Sequence, residues 1–279
     1  MVSGEFGGGD GVSYFSGRGG VRLAYREMGE GRPLVLLHGF TGDGTLWLRY
    51  GQAQALAERG WRVVLPDFRG HGRSDRPHEA AAYPADVLAE DGLALIGHLG
   101  LRDGAYDLGG YSLGARIAVR MLVRGAAPGR ALLGGQGLRE VQGVGGGAGA
   151  FVRRVFSKPA GEFEPGSKEA RAAEYYRQAG EDPVALLLAL DSVVATPAEE
   201  LAEVRVPALV AMGREDERAV SAEELVAALP AGVGPAWVPG DHGTAPASAE
   251  FTAAVADFLG GGGGGGHLPG SSGEKGEDT

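Results

Sequence analysis

Short apolar segments alternate with helical segments along most of this chain, and this alternation restricts its possible folds more than any other feature. The apolar segments end at glycine, proline or a polar residue, and they cover residues 21–25, 34–37, 62–65, 105–110, 131–133, 206–212 and 236–238. Short runs bounded in this way are typical of strands that are buried on both faces of a sheet. Apolar residues at helical spacing occupy residues 85–99, 115–123, 222–229 and 251–258. The sequence therefore predicts an α/β protein with a mostly parallel central sheet flanked by helices.

One long region interrupts this alternation. Residues 138–203 show no strand pattern and contain three predicted helices, at 148–157, 167–179 and 183–194. Insertions in parallel sheets most often lie over the carboxyl ends of the strands, where ligands bind. We therefore predict a small helical cap at 138–203, with a helical decoration remote from any site as the alternative. The main domain is expected to cover residues 12–259, between a flexible N-terminus at 1–11 and a disordered glycine-rich tail at 260–279.

Composition excludes several classes of function. The chain has no cysteine, which rules out disulfides, thiolate metal sites and a cysteine nucleophile. The net charge of −10 does not suit binding to a phosphate backbone, so we expect no nucleic-acid partner. No apolar run approaches the roughly 18 residues that a membrane span requires, and the N-terminus lacks the pattern of a signal peptide. These features favour a cytoplasmic protein, and they leave its oligomeric state open.

The strongest chemical signal is the sequence Gly110-Tyr111-Ser112-Leu113-Gly114, between a predicted strand and a predicted helix. This context is the one that a nucleophile elbow requires. A tight turn there lifts the serine hydroxyl above the sheet and directs the positive end of the next helix towards it. We therefore predict that Ser112 is a nucleophile, with an ordinary loop serine as the alternative.

A serine hydroxyl needs a base, and the base needs an acid that holds its tautomer. Among the six histidines we favour His242, which follows the last predicted strand in the loop where catalytic groups of such sheets lie. Asp216 follows the preceding strand in a similar loop and is the candidate acid, with Glu215 as its close rival. The chain order of serine, acid and histidine is that of one hydrolase fold.

Four segments together resemble the α/β-hydrolase family, over roughly residues 20–259. They are the strand end at 36–40 with His38-Gly39-Phe40, the D-x-x-G-x-G-x-S loop at 67–75, the elbow at 110–114, and the loops that carry Asp216 and His242. The resemblance implies the α/β-hydrolase fold and a Ser112–Asp216–His242 triad, and it favours Asp216 over Glu215. It also implies neither a metal nor an organic cofactor.

The same resemblance implies an oxyanion hole formed by the backbone amides of Phe40 and Leu113. Backbone donors leave the side chains free to vary, so the prediction concerns positions rather than residue types. The family often has a second glycine after the elbow, where this chain has Ala115. This change is small and leaves the prediction intact.

The favoured reaction is hydrolysis of a carboxylic ester, thioester or lactone through an acyl-enzyme, with a small acyl-bearing molecule as the substrate. One alternative is suggested by Tyr111 and Arg116, because the pattern Gly-Tyr-Ser-x-Gly-x-Arg resembles the elbow of hydrolase-fold lyases of the menaquinone pathway. Carbon–carbon bond hydrolysis is a further alternative. A binding protein with this fold is the third, although such proteins usually lose a triad member.

Five residues are candidates for contact with the substrate. They are Tyr111, Arg116, Phe151, Phe156 and Tyr176. The three cap aromatics are expected to line an acyl pocket, although aromatic residues at helical spacing more often form core. Arg116 has a simpler alternative, in which it caps a surface helix.

Overall fold

A computed structural model describes residues 11–144 and 147–261 of the chain. The eight strands are β1 (Val12–Ser16), β2 (Arg22–Met28), β3 (Arg32–Leu37), β4 (Trp61–Pro66), β5 (Asp107–Tyr111), β6 (Ala131–Gly134), β7 (Ala208–Gly213) and β8 (Gly232–Val238). The helices are α1 (Leu46–Arg49), α2 (Gln52–Ala57), α3 (Val87–His98), α4 (Leu113–Val123), α5 (Leu138–Val141), α6 (Gly147–Phe156), α7 (Lys168–Gln178), α8 (Pro183–Asp191), α9 (Ala198–Leu201), α10 (Ala222–Ala228) and α11 (Ala249–Gly260). The expectations for the N-terminal residues 1–10 and for the tail at 262–279 lie outside the described residues.

All eight strands form one sheet in the order β1-β2-β4-β3-β5-β6-β7-β8. The six strands from β3 to β8 pair in parallel, whereas β1 and β2 are antiparallel to their neighbours. The carboxyl ends of the six parallel strands therefore meet at one edge. This architecture confirms the predicted α/β fold with a mostly parallel sheet.

Alternation of side chains along the strands builds a core on each face of the sheet. In β3, Val35 and Leu37 join the core under α3, α4 and α10, while Leu34 and Leu36 join the core under α2 and α11. All four side chains are almost completely excluded from solvent. Burial on both faces explains why this strand is continuously apolar in the sequence.

Strand β1 was not predicted, because its sequence has no apolar run. Only Val12 and Phe15 of its five residues are buried, and it pairs at the sheet edge with β2 alone. An edge strand of this kind needs few apolar residues, so its sequence carries a weak strand signal.

Helices α6, α7 and α8 correspond to the three helices predicted between β6 and β7, while the one-turn helices α5 and α9 were not predicted. Capping residues explain where two of the long helices begin. The hydroxyl of Ser167 accepts a hydrogen bond from the Ala170 amide at the start of α7, and Asp182 accepts two amides at the start of α8. Throughout the described ranges, no helix combines the length and the apolar character needed to cross a membrane.

Candidate active site

Ser112 lies in the tight turn between β5 and α4. Its backbone has φ 56° and ψ −117°, a left-handed conformation that is unusual for a residue other than glycine. A Cβ atom added at Gly110 would lie 2.3 Å from the backbone of Gly114, and one added at Gly114 would lie 2.3 Å from the Leu37 carbonyl oxygen. The turn therefore requires glycine at both flanking positions, as the elbow motif indicates.

The loops after β7 and β8 bring an acid and a histidine to the serine. Nε2 of His242 lies 2.9 Å from Oγ of Ser112, and Nδ1 of His242 lies 2.6 Å from Oδ2 of Asp216. Both distances are those of hydrogen bonds. The structure thus brings together the three residues that the sequence singled out, although 130 positions separate Ser112 from His242.

The carboxylate of Asp216 is completely buried and accepts hydrogen bonds on both oxygens. Its Oδ1 accepts the Arg218 amide at 3.0 Å and lies 3.4 Å from the Arg218 guanidinium. Burial raises the pKa of Asp216, but the hydrogen bond and charge of His242 and the two Arg218 contacts outweigh it, so the pKa lies below its usual value. The rival Glu215 has an exposed side chain.

Tyr111 supports the histidine loop and is not one of the residues that line the cavity at Ser112. Its hydroxyl donates a hydrogen bond to the His242 carbonyl oxygen at 2.9 Å, and the two rings lie 5.3 Å apart between centroids. The side chain is buried, with 3% of its surface exposed. This placement differs from the expectation that Tyr111 contacts the substrate.

His38 connects the loop after β3 with the loop after β4. Its Nδ1 lies 2.7 Å from the carbonyl oxygen of Gly39, and its Nε2 lies 2.9 Å from the Phe68 amide. The Phe68 amide can only donate, so Nε2 accepts and Nδ1 carries the proton. Burial lowers the pKa of His38, which favours this neutral form. The ring therefore fixes the peptide that leads to Phe40.

The two amides expected to form the oxyanion hole lie beside the serine. Phe40 follows β3 and Leu113 is the first residue of α4, and both line the same cavity as Ser112. Within the described residues, neither amide donates a hydrogen bond. Gly39 lies against Ser112, since a Cβ atom added there would be 3.5 Å from the serine Cβ.

A cavity of about 180 Å³ opens beside Ser112. The helical region between β6 and β7 contributes Glu140, Val152 and Leu190 to its lining, and α4 contributes Arg116. Arg116 thus faces the cavity rather than capping a surface helix. Burial lowers its pKa, and the nearby charge of Glu140 raises it by a smaller amount.

The three aromatic residues predicted for the acyl pocket do not line this cavity. Phe156 and Tyr176 line a separate cavity of about 580 Å³, where their rings lie 5.3 Å apart. Phe151 lies against the guanidinium of Arg154, which is 5.6 Å from the ring centroid. On α6, Val152 faces the serine, and its neighbour Phe151 is rotated by about 100° to another side of the helix.

No group of three or more histidine, aspartate or glutamate side chains arranged to hold a metal ion occurs within residues 11–144 and 147–261.

Comparison with known proteins finds similarity to α/β hydrolases. Residues 32–130 match a protein family described as the α/β-hydrolase fold. Over 104 residues, the chain is 38% identical to the AB hydrolase superfamily protein YisY from Bacillus subtilis, a match that spans 37% of each protein. The curated relatives are matched over about a third of their own length or less.

Solved structures resemble the chain over most of its length. Rv0554 from Mycobacterium tuberculosis has a TM-score of 0.72 at 22% identity, with 89% of this chain and 98% of that chain covered. The esterase RhEst1 from Rhodococcus sp. ECU1013 has a TM-score of 0.69 at 22% identity, with 91% and 100% covered. The chain therefore has the α/β-hydrolase fold.

Proposed function

We propose that this protein is a serine hydrolase that cleaves a carboxylic ester, thioester or lactone through an acyl-enzyme. The observation that carries the proposal is the continuous hydrogen-bonded series from Ser112 through His242 to the buried Asp216, at the wall of a cavity. This series has the geometry of a nucleophile, a general base and an orienting acid.

In the first half of the reaction, Oγ of Ser112 attacks the carbonyl carbon while Nε2 of His242 takes the hydroxyl proton. The carbonyl oxygen becomes an oxyanion, which accepts hydrogen bonds from the amides of Phe40 and Leu113. Donors of this kind each contribute about 2.7–4 kcal/mol to stabilisation of the transition state. The intermediate collapses, and the leaving alcohol or thiol takes the proton from His242.

In the second half, a water molecule gives its proton to His242 and attacks the acyl-enzyme carbonyl carbon. Collapse of the second intermediate releases the carboxylic acid and returns the proton to Ser112. Asp216 keeps the Nδ1 proton of His242 in place and stabilises the imidazolium that forms in both halves. Tyr111 and His38 act on this machinery only by positioning the His242 loop and the Phe40 peptide.

The helical region from α5 to α9 acts as a cap in this proposal. Val152 of α6 and Leu190 of α8 line the cavity together with Ser112, which supports a position over the nucleophile. The cap limits the length of the acyl group that the cavity accepts.

A second candidate is cleavage or elimination at carbon, as in carbon–carbon hydrolases and lyases of the menaquinone pathway. The observation that favours it is Arg116, which faces the same cavity as the serine. Such enzymes and esterases share the serine, histidine and acid, so the product separates the two candidates.

The test is turnover of a panel of p-nitrophenyl esters, an aryl thioester and a lactone by the wild-type protein and by Ser112→Ala. We expect turnover of at least one class, with the acid as product and loss of activity in Ser112→Ala. Equal turnover by the two proteins would contradict the proposal, and so would a wild-type protein that turns over none of them.

A further inference from the structure

The cavity beside Ser112 contains polar side-chain atoms that no described residue satisfies. Nε of Arg116, Oε1 of Gln136 and Oε2 of Glu140 are all buried, and none of them has a hydrogen-bond partner within the described part of the chain. All three side chains line the cavity that contains the serine. Buried polar groups are normally paired, so three unpaired ones at one cavity call for an explanation.

The two buried arginines of the described residues, Arg69 and Arg120, are paired with aspartate, whereas Arg116 is half-buried. Arg69 donates to both oxygens of Asp91 at 2.8 and 3.0 Å. Arg120 donates to Asp86 at 2.6 Å in the same way. Arg116 differs from them, because it forms no ion pair with Glu140 even though the two side chains face one cavity and their charges interact.

Arg116 and Glu140 therefore place an unpaired cation and an unpaired anion on the wall of one cavity. The cavity has a volume of about 180 Å³, so a small group bound there lies near both side chains. A ligand bound there must satisfy Arg116 with an acceptor and Glu140 with a donor. An apolar acyl group does neither, and it would leave both groups desolvated and unpaired.

We infer that the cavity selects a short acyl group that carries a carboxylate for Arg116 and a hydroxyl or ammonium group for Glu140 and Gln136. The inference rests on the proposed acyl-enzyme mechanism and specifies the substrate class of that site. It replaces the expectation of an apolar acyl pocket formed by cap aromatics.

Four p-nitrophenyl esters with the same four-carbon acyl chain test this selectivity. The butyryl ester carries neither polar group, and the succinyl ester carries the carboxylate. The 3-hydroxybutyryl ester carries the hydroxyl, and the hydroxysuccinyl ester carries both. For the wild-type protein we expect kcat/KM to be highest for the hydroxysuccinyl ester and lowest for the butyryl ester.

Two variants assign each preference to a side chain. Arg116→Gln should lower kcat/KM for the succinyl ester relative to the butyryl ester by about 10- to 100-fold, the usual effect of losing a hydrogen bond to a charged group. Glu140→Met should lower the ratio of 3-hydroxybutyryl to butyryl turnover by about 10-fold, for the same reason. Arg139→Gln is the matched control, since it removes a charge beside Glu140 from an exposed side chain outside the cavity lining, and both ratios should stay unchanged.

Three results would overturn the inference. The first is a wild-type protein that hydrolyses the butyryl ester as fast as the hydroxysuccinyl ester. The second is an Arg116→Gln variant in which turnover of all four esters falls equally, as a purely structural role would require. The third is turnover of p-nitrophenyl acetate without turnover of any four-carbon ester. Failure of the proposed function can be told apart from failure of this inference. In that case p-nitrophenyl acetate would not be hydrolysed, and Ser112 would not react with a fluorophosphonate.

Discussion

Replacing Asp216 with asparagine should move the proton of His242 to the wrong nitrogen. One oxygen of Asp216 faces Nδ1 of His242 at 2.6 Å, and the other accepts the Arg218 amide at 3.0 Å. Asparagine has one acceptor and one donor, and its donor cannot face the donors of Arg218. The NH₂ group therefore faces His242, Nδ1 must accept, and the proton resides on Nε2. In that tautomer His242 cannot take the proton of Ser112.

The expected loss in kcat is about 10⁴-fold, as serine proteases show when the histidine tautomer is reversed. This loss equals about 5.5 kcal/mol of transition-state stabilisation, at about 1.4 kcal/mol for each factor of ten. The assay is kcat for whichever p-nitrophenyl ester the wild-type protein hydrolyses fastest. Glu215→Gln is the matched control, because it removes the same charge from the adjacent, exposed carboxylate.

Stability provides a second measurement on the same variant. The pKa of Asp216 in the folded protein lies below its ordinary value of 3.8, so the ionised carboxylate stabilises the fold above pH 3.8. That contribution is lost as the pH falls through the lowered pKa of the folded state. The difference in Tm between wild type and Asp216→Asn should therefore narrow below pH 3.8.

Two kinetic results would refute the assignment of Asp216, since reversal of the tautomer costs about 10⁴-fold in kcat. One is an Asp216→Asn protein that keeps more than about a tenth of wild-type kcat. The other is a Glu215→Gln protein whose kcat falls by about 10⁴-fold.

Three further predictions concern the surroundings of the triad. Gly114→Ala should lower Tm and activity together, because its Cβ would lie 2.3 Å from the Leu37 carbonyl oxygen; an unchanged Tm by calorimetry would contradict this packing. Tyr111→Phe should lower kcat by about fivefold with little change in KM, because one hydrogen bond to the His242 loop, worth about 1 kcal/mol, is lost; a change confined to KM would instead indicate contact with substrate. Val152→Phe should lower kcat/KM for the longer acyl esters more than for acetate, whereas equal loss across chain lengths would place Val152 outside the acyl pocket.

The parallel part of the fold follows from the sequence because most of its strands, unlike the edge strand β8, are buried on both faces. That burial makes β3, β6 and β7 continuously apolar, and such runs are easily read. The edge strand β1 buries only two of its side chains, so no local pattern reveals it. Its place in the sheet depends on pairing with β2, which lies beyond the reach of a short-range pattern.

The candidate site likewise has one part that the sequence predicts and another part that it does not. Ser112, Asp216 and His242 follow strand ends, so the topology of a parallel sheet brings them to one edge from distant parts of the chain. The cavity wall depends instead on how helices pack. Val152 faces the serine and Phe151 does not, a difference of one position on α6 that an aromatic-rich sequence does not disclose. Gln136 and Glu140 lie in no recognisable motif, so only the three-dimensional structure shows that they line the cavity.

Reaction of the intact protein with a fluorophosphonate tests the central claim most directly, since this reagent phosphonylates only an activated serine. Intact-mass analysis and peptide mapping should show one adduct per chain, on Ser112, with loss of all ester turnover. Ser112→Ala, and to a large extent Asp216→Asn, should remain unlabelled under the same conditions. A folded wild-type protein that takes up no reagent, or that carries the adduct on a serine other than Ser112, would contradict the account.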